Sequence, residues 1–213
     1  MSKQKHSYTL HYFDTRGRGE LIRLMFVYHN VTFEDHRISM DDWPTCKPEA
    51  PMGQVPYLVV DDGKLIICQT LSICRYLAKS LRPEDYFGGE TKSDSAKCDM
   101  YADTFMDLFS IGVGAAHEKD PIIKEKKETI FENQYPVRLR MLEHHLKNNG
   151  GHHFVSRKVL WCDLVALCVL SILEEIKPNI LQDFPDIQLY YINMRNLPEI
   201  KDYVKNNWPP ATV

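Results

Sequence analysis

The sequence predicts an α/β domain over residues 1–81 and, after a linker at 82–90, an all-helical domain over 91–213. Three observations carry this. Short runs rich in β-branched and aromatic residues are confined to the stretch before residue 69. Beyond residue 91 the apolar residues recur at helical spacing. Between these stretches, Pro83 and the adjacent Gly88 and Gly89 punctuate the chain as a connector.

Taken in order, Tyr8–Phe13 (YTLHYF) reads as a strand and Asp14–Gly19, with two glycines, as a turn. Glu20–His29 carries Leu21, Ile22, Leu24, Met25 and Phe26 on a helical face. Phe33–Ile38 is a second strand, and a strand–helix–strand unit implies parallel pairing with a right-handed crossover. Ser39–Gly53 is polar and proline-rich. Tyr57–Val60 and Leu65–Cys68 flank Asp61-Asp62-Gly63, a hairpin signal. Leu71–Leu81 follows with helical periodicity. This order, βαβ then ββα, is the thioredoxin-like pattern, without the C-x-x-C of a thiol oxidoreductase. The helical part reads as Lys97–Ser110, Ile123–Asn148, Trp161–Ile176, Asp186–Asn196 and Pro198–Lys205; Trp161–Ile176 is almost wholly apolar and is expected to be a buried central helix.

Composition narrows the function classes. The chain of 213 residues is 44% hydrophobic and 26% charged, an ordinary globular balance. A formal net charge of −3 argues against a nucleic-acid binder, which normally carries a basic surplus. Met1–Lys5 leads into no apolar signal core, and the most apolar stretch, Val159–Leu173, is interrupted by Asp163 and too short to span a bilayer. No nucleic-acid or membrane partner is expected. None of Cys46, Cys68, Cys74, Cys98, Cys162 and Cys168 has zinc or redox spacing, so all six read as reduced, mostly buried thiols of a cytoplasmic protein.

Several residues could carry chemistry. Val55-Pro56 precedes a strand, where a proline without an N–H belongs. Gln69-Thr70, at a helix start, can cap that helix or join its N–H groups in binding a carboxylate. Arg18, Trp43, Lys47 and Gln54 fall in loops at one end of the sheet, a combination suited to a peptide with two carboxylates. Tyr12 closes the first strand; a strand tyrosine usually packs in a core, and a functional role needs its hydroxyl to face a ligand.

These segments together resemble the sigma-class glutathione transferases, most closely the nematode and vertebrate members, which include glutathione-dependent prostaglandin D synthases. The likeness rests on Tyr8–Phe13, Asp14–Glu20 (DTRGRGE), Glu34–Ile38 (EDHRI), Asp42-Trp43-Pro44 with Lys47, Met52–Pro56 (MGQVP) and Leu65–Tyr76. Phe154-Val155 and Trp161-Cys162-Asp163 extend it more loosely into the second half.

The resemblance implies a homodimer that uses glutathione as co-substrate, requires no metal, and conjugates hydrophobic electrophiles in detoxification. Tyr12 would be the catalytic hydroxyl and Arg18 would polarise the thiol. Trp43 and Lys47 would hold the glycine carboxylate, with Gln54 lining that part of the site. The Val55 backbone would pair with the cysteinyl residue through a cis Pro56. Gln69 and Thr70 would hold the γ-glutamyl carboxylate, and Asp107 of the partner subunit its amine. Phe13, Thr15, Met106, Phe109, Ser110 and Val113 would line the electrophile pocket, although helix packing would explain most of them equally well.

The chain departs from the family in places. Gly114 stands where the prostaglandin-isomerising members carry a tryptophan, Thr15 where they have methionine, and Met106 replaces an aspartate, which weighs against a dedicated prostaglandin synthase. Leu160 occupies a helix cap that is normally Ser or Thr, a loss of about 0.5–2 kcal/mol. Asp163 can still accept from the Leu160 N–H, and Val159 with Leu164 can form a hydrophobic staple. Leu160→Thr is accordingly expected to raise the melting temperature, a lowered one counting against the alignment. Isomerase or peroxidase work with the same thiolate, and a binding role as a haem or hydrophobic-ligand carrier or a crystallin-like relative, remain the alternatives.

Overall fold

The computed structural model describes residues 6–212; the Met1–Lys5 segment read above for a signal core lies outside them. The chain divides at Phe87/Gly88 into two compact units, a break inside the stretch read as a connector.

The first unit is built on a four-stranded sheet ordered β2-β1-β3-β4, with β1 at Tyr8–Phe13, β2 at Glu34–Ile38, β3 at Tyr57–Val60 and β4 at Leu65–Cys68. β1 pairs parallel to β2, antiparallel to β3, and β3 antiparallel to β4. Strand alternation puts Tyr8, Leu10 and Tyr12 on the buried face of β1. Helix α1 (Gly17–Tyr28) and helix α3 (Thr70–Ser80) pack on one another and on the sheet, and Tyr8 meets Phe26 of α1 at 5.1 Å between ring centroids. The β3–β4 hairpin turns on Asp62 and Gly63, both at positive φ (55° and 96°), as a type I′ turn requires, and Lys64 N–H closes it on the Asp61 carbonyl at 3.3 Å.

Three details differ from the sequence reading. Helix α1 begins at Gly17, so the two glycines assigned to a turn lie in its first turn; Glu20 N–H already donates to the Arg16 carbonyl at 2.9 Å. The proline-rich segment contains a short helix α2 (Trp43–Cys46), with Pro44 in its first turn where a missing N–H costs nothing. At the end of the unit, Phe87 is buried and stacks on Tyr28 at 5.2 Å.

The second unit comprises α4 (Lys92–Ala116), α5 (Pro121–Asn148), α6 (Trp161–Ile176), α7 (Pro185–Arg195) and α8 (Lys201–Asn207). α4 starts five residues before the predicted Lys97, because Thr91 and Asp94 form a complete capping box: Asp94 N–H donates to Thr91 Oγ1 at 3.1 Å and Thr91 N–H to Asp94 Oδ2 at 3.2 Å. α6 is buried continuously from Trp161 to Glu174, the expected central helix. Its opening lacks a cap oxygen at Leu160, and Asp163 does the work instead. Asp163 Oδ2 accepts from Leu160 N–H at 2.9 Å; Oδ1 accepts from Phe154 N–H and Tyr190 O–H, each at 3.1 Å. The Leu160 side chain is itself only 4% exposed. The expected gain from Leu160→Thr therefore does not follow, since the substitution removes a buried apolar group; a lowered melting temperature says nothing against the alignment.

None of the six cysteines forms a disulfide, four of them are buried, and Cys98 and Cys162 touch across α4 and α6 with Sγ atoms 3.5 Å apart. Among the described residues no helix is long and apolar enough to cross a membrane.

Candidate active site

The end of the first unit's sheet is set by a buried guanidinium. Arg23, on α1, is 1% exposed. Its Nε donates to both carboxylate oxygens of Asp35 (3.1 and 3.0 Å), Nη1 to the Thr15 carbonyl (2.7 Å) and Glu20 (3.3 Å), and Nη2 to the Phe13 carbonyl (3.2 Å). One side chain thus ties β1's exit, the following turn and β2 together, and paired hydrogen bonds make such burial tolerable. The sequence reading missed Arg23 because a charged residue inside an apolar helix face looks like an ordinary solvated position.

That anchored turn surrounds Tyr12. The ring is 7% exposed, and its hydroxyl oxygen accepts from the Arg18 peptide N–H at 2.9 Å. The Arg23 guanidinium carbon lies 5.7 Å from the ring centroid. Burial raises the hydroxyl's pKa above the ordinary tyrosine value, opposed by the Arg18 N–H, the Arg18 and Arg23 charges and the Gly19 N–H. The group therefore keeps its proton at neutral pH and can donate it in a hydrogen bond.

Beside it a cleft of about 500 Å³ is lined by ten residues: Phe13, Arg18, Trp43, Lys47, Gly53, Gln54, Val55, Pro56, Gln69 and Thr70. Eight of the sequence-predicted site residues meet there, together with Phe13 from the predicted electrophile wall; Tyr12 stands behind the lining, joined to it through Arg18. Two lining side chains are cationic and none is a carboxylate, so the cleft favours an anionic guest. Trp43 sets its indole edge-on to Phe13, with centroids 5.4 Å apart. The Val55–Pro56 peptide is cis, as the resemblance implies.

At the far side, Gln69 precedes α3 with φ 72°, a left-handed conformation uncommon for a residue with a side chain. It makes no side-chain cap bond, so the capping explanation fails at this position. The first-turn N–H groups of α3 lack helical acceptors and carry the positive end of its dipole, which suits a carboxylate. A larger hollow of about 620 Å³ in the second unit gathers Arg195, Lys201 and Lys205, but Asp202 shares its lining, so it lacks the carboxylate-free character of the first-unit cleft.

The remaining predicted residues divide between the units. Thr15 is exposed in the first unit and lends its carbonyl to Arg23. On α4 of the second, Met106 and Phe109 are buried, Val113 is half-buried, and Ser110 turns its hydroxyl to the Met106 carbonyl at 2.8 Å. Asp107 is exposed and pairs with Arg138 at 3.4 Å. A Cβ added at Gly114 would meet nothing within 4 Å. Among the described residues no cluster of three or more His, Cys, Asp or Glu side chains could hold a metal.

Comparison with known proteins gives the family of both units. A family model described as "Glutathione S-transferase, N-terminal domain" matches residues 8–79, and one described as "Glutathione S-transferase, C-terminal domain" matches residues 106–207. Glutathione S-transferase 1 of Ascaris suum is 34% identical over 205 residues, covering 92% of this chain and 95% of its own length. Among solved structures, the prostaglandin synthase D of Nilaparvata lugens superposes with a TM-score of 0.85 at 34% identity, over 96% of this chain and 100% of its own. The sigma class GST of Fasciola hepatica gives a TM-score of 0.84 at 29% identity, over 97% and 99% respectively.

Proposed function

This chain belongs to the glutathione S-transferase family, and from that premise we propose that it binds glutathione in the first-unit cleft and uses Tyr12 to hold its sulfur as a thiolate for attack on hydrophobic electrophiles. The observation that carries this reading is the meeting of two cations, two glutamine side chains and an uncapped helix start in one cleft beside a protonated, buried tyrosine hydroxyl.

Each part of the tripeptide finds a complementary group. Lys47 and the Trp43 indole take the glycine carboxylate, with Gln54 alongside. The Val55 backbone, ahead of Pro56, pairs with the cysteinyl residue. Gln69, Thr70 and the α3 N-terminus take the γ-glutamyl carboxylate. Asp107 of the partner subunit, exposed on α4, takes the γ-glutamyl amine in a homodimer.

A free thiol titrates near roughly 8.5 and is mostly protonated at neutral pH. A phenol that donates to sulfur stabilises the thiolate over the thiol, and Arg18 adds positive charge at the same place. Each unit by which the thiol's pKa falls corresponds to about 1.4 kcal/mol. The enzyme works in the cytoplasm in detoxification, with Phe13 of the cleft lining facing the electrophile.

Tyr12→Phe is the direct test. It keeps glutathione affinity nearly intact and removes most turnover with a chloronitrobenzene substrate; near-normal turnover would defeat the assignment. Isomerase or peroxidase chemistry would use the same thiolate. The names of relatives favour isomerisation, and the open space at Gly114 weighs against it. Carriage of haem or other planar ligands is compatible with turnover and is read directly by titration with haem.

A further inference from the structure

Tyr12 Oη sits against the first turn of α1. The Arg18 N–H donates to it at 2.9 Å, and the Gly19 N–H pulls in the same direction. First-turn amides of a helix have no acceptor within the helix, so they can serve another group. A phenol has one proton to give and an oxygen able to accept.

We propose that the N-terminal amides of α1 are the positioning device of the Tyr12 hydroxyl: by filling its accepting side they commit its single proton to the glutathione sulfur. The inference rests on the reading of Tyr12 given above. A thiol would approach with a hydrogen of its own and meet an oxygen already supplied with a donor. A thiolate only accepts, and takes the one proton that remains. The amides therefore discriminate between the two forms of the same sulfur. The positive end of the helix dipole also withdraws charge from the oxygen and strengthens the O–H as a donor. In this role Arg18 acts through its peptide N–H, separately from its guanidinium. Gly17 makes the approach possible: its φ is +36°, and a Cβ there would lie 2.6 Å from the hydroxyl oxygen.

Two substitutions at one position isolate the amide. Arg18→Ala removes the side chain and keeps the N–H, whereas Arg18→Pro removes both, at a helix position that proline tolerates. The readout is the pKa of bound glutathione, followed by thiolate ultraviolet absorbance against pH. Binding of S-methylglutathione, whose sulfur does not ionise, reports the integrity of the cleft. Arg18→Pro is expected to bind S-methylglutathione as Arg18→Ala does and to raise the bound thiol's pKa by a further ~1 unit, about tenfold less thiolate. Equal pKa values in the two variants overturn the proposal.

Should the proline variant fail to fold, ¹⁵N-labelled wild type and Tyr12→Phe decide. Loss of the phenol oxygen is expected to move the Arg18 amide proton upfield and speed its exchange with solvent; an unmoved resonance overturns the proposal. Tyr12→Phe also separates the two levels of the argument. An unchanged thiol pKa in that variant sinks the Tyr12 reading and this inference with it. A raised one, with no difference between Arg18→Pro and Arg18→Ala, sinks only the inference.

Discussion

Replacing Asp163 by alanine removes the carboxylate that receives the peptide N–H groups of Phe154 and Leu160 at the start of α6. Tyr190 loses one acceptor but keeps the Asp163 carbonyl at 3.2 Å, so two donors are left orphaned. Buried donors without partners cost about 1–3 kcal/mol each, about 4 kcal/mol for the pair at mid-range. The carboxylate is itself costly to ionise: full burial raises its pKa to about 6, against the pull of the two amides and Tyr190. The ordinary value is about 3.9, so the ionised side chain carries a penalty of about 3 kcal/mol, which alanine escapes.

Because the folded-state pKa lies above the unfolded one, wild type is most stable below about pH 4 as far as this group is concerned, and loses that contribution as pH rises to about 6. The deficit of Asp163→Ala is therefore expected to be about 1 kcal/mol at pH 7 and about 2.5 kcal/mol at pH 5. Urea unfolding of both proteins at the two pH values measures it, and groups that titrate alike in both cancel in the difference. His153, whose Nδ1 lies 4.0 Å from Asp163 Oδ1, is the neighbour most able to intrude, and repeating the pair in a His153→Gln background removes it. A deficit equal at both pH values, or larger at pH 7, would refute the reasoning.

Further outcomes follow from the same packing. Leu160→Thr gains a cap worth about 0.5–2 kcal/mol and loses a buried leucine worth about 1.5–3 kcal/mol, so calorimetry is expected to show a modestly lowered melting temperature. Arg23→Met leaves the Glu20 carboxylate, 2% exposed, without its guanidinium, while Asp35 keeps Arg37 at 2.8 Å. Denaturant unfolding is expected to show a loss of about 3–5 kcal/mol. Adding Glu20→Gln should recover part of it, and no recovery would show that the carboxylate was not the cost.

The architecture was readable where apolar spacing is regular and long. Trp161–Ile176 and the Asp61-Asp62-Gly63 hairpin are local signals that tertiary contacts only reinforce. Boundaries escaped where polar chemistry decides them. The start of α4 was marked by Thr91 and Asp94, a capping-box spacing that the apolar pattern alone passes over. The start of α1 at Gly17 was hidden because glycine reads as a breaker, and there its function is to let the chain pass the Tyr12 hydroxyl. At the site, the order of elements was enough to bring Trp43, Lys47 and Gln54 to one end of the sheet, but which part of a ligand each would meet came only by likeness, since sequence spacing does not reveal where their side chains converge. Arg23 has no sequence signature as a keystone, because its meaning lies in Phe13, Thr15, Glu20 and Asp35, which only the folded chain brings to it.

On the proposed function, the left-handed backbone at Gln69 puts the needs of the fold and of the ligand at odds. Glycine would occupy that conformation with no steric penalty, and a residue with a side chain carries of order 1 kcal/mol of strain there. An engineer seeking a sturdier first unit would choose glycine at this place, and would obtain a more robust scaffold with a weaker grip. If Gln69 grips the γ-glutamyl carboxylate as proposed, an amide-bearing side chain in so unfavourable a posture trades stability for recognition.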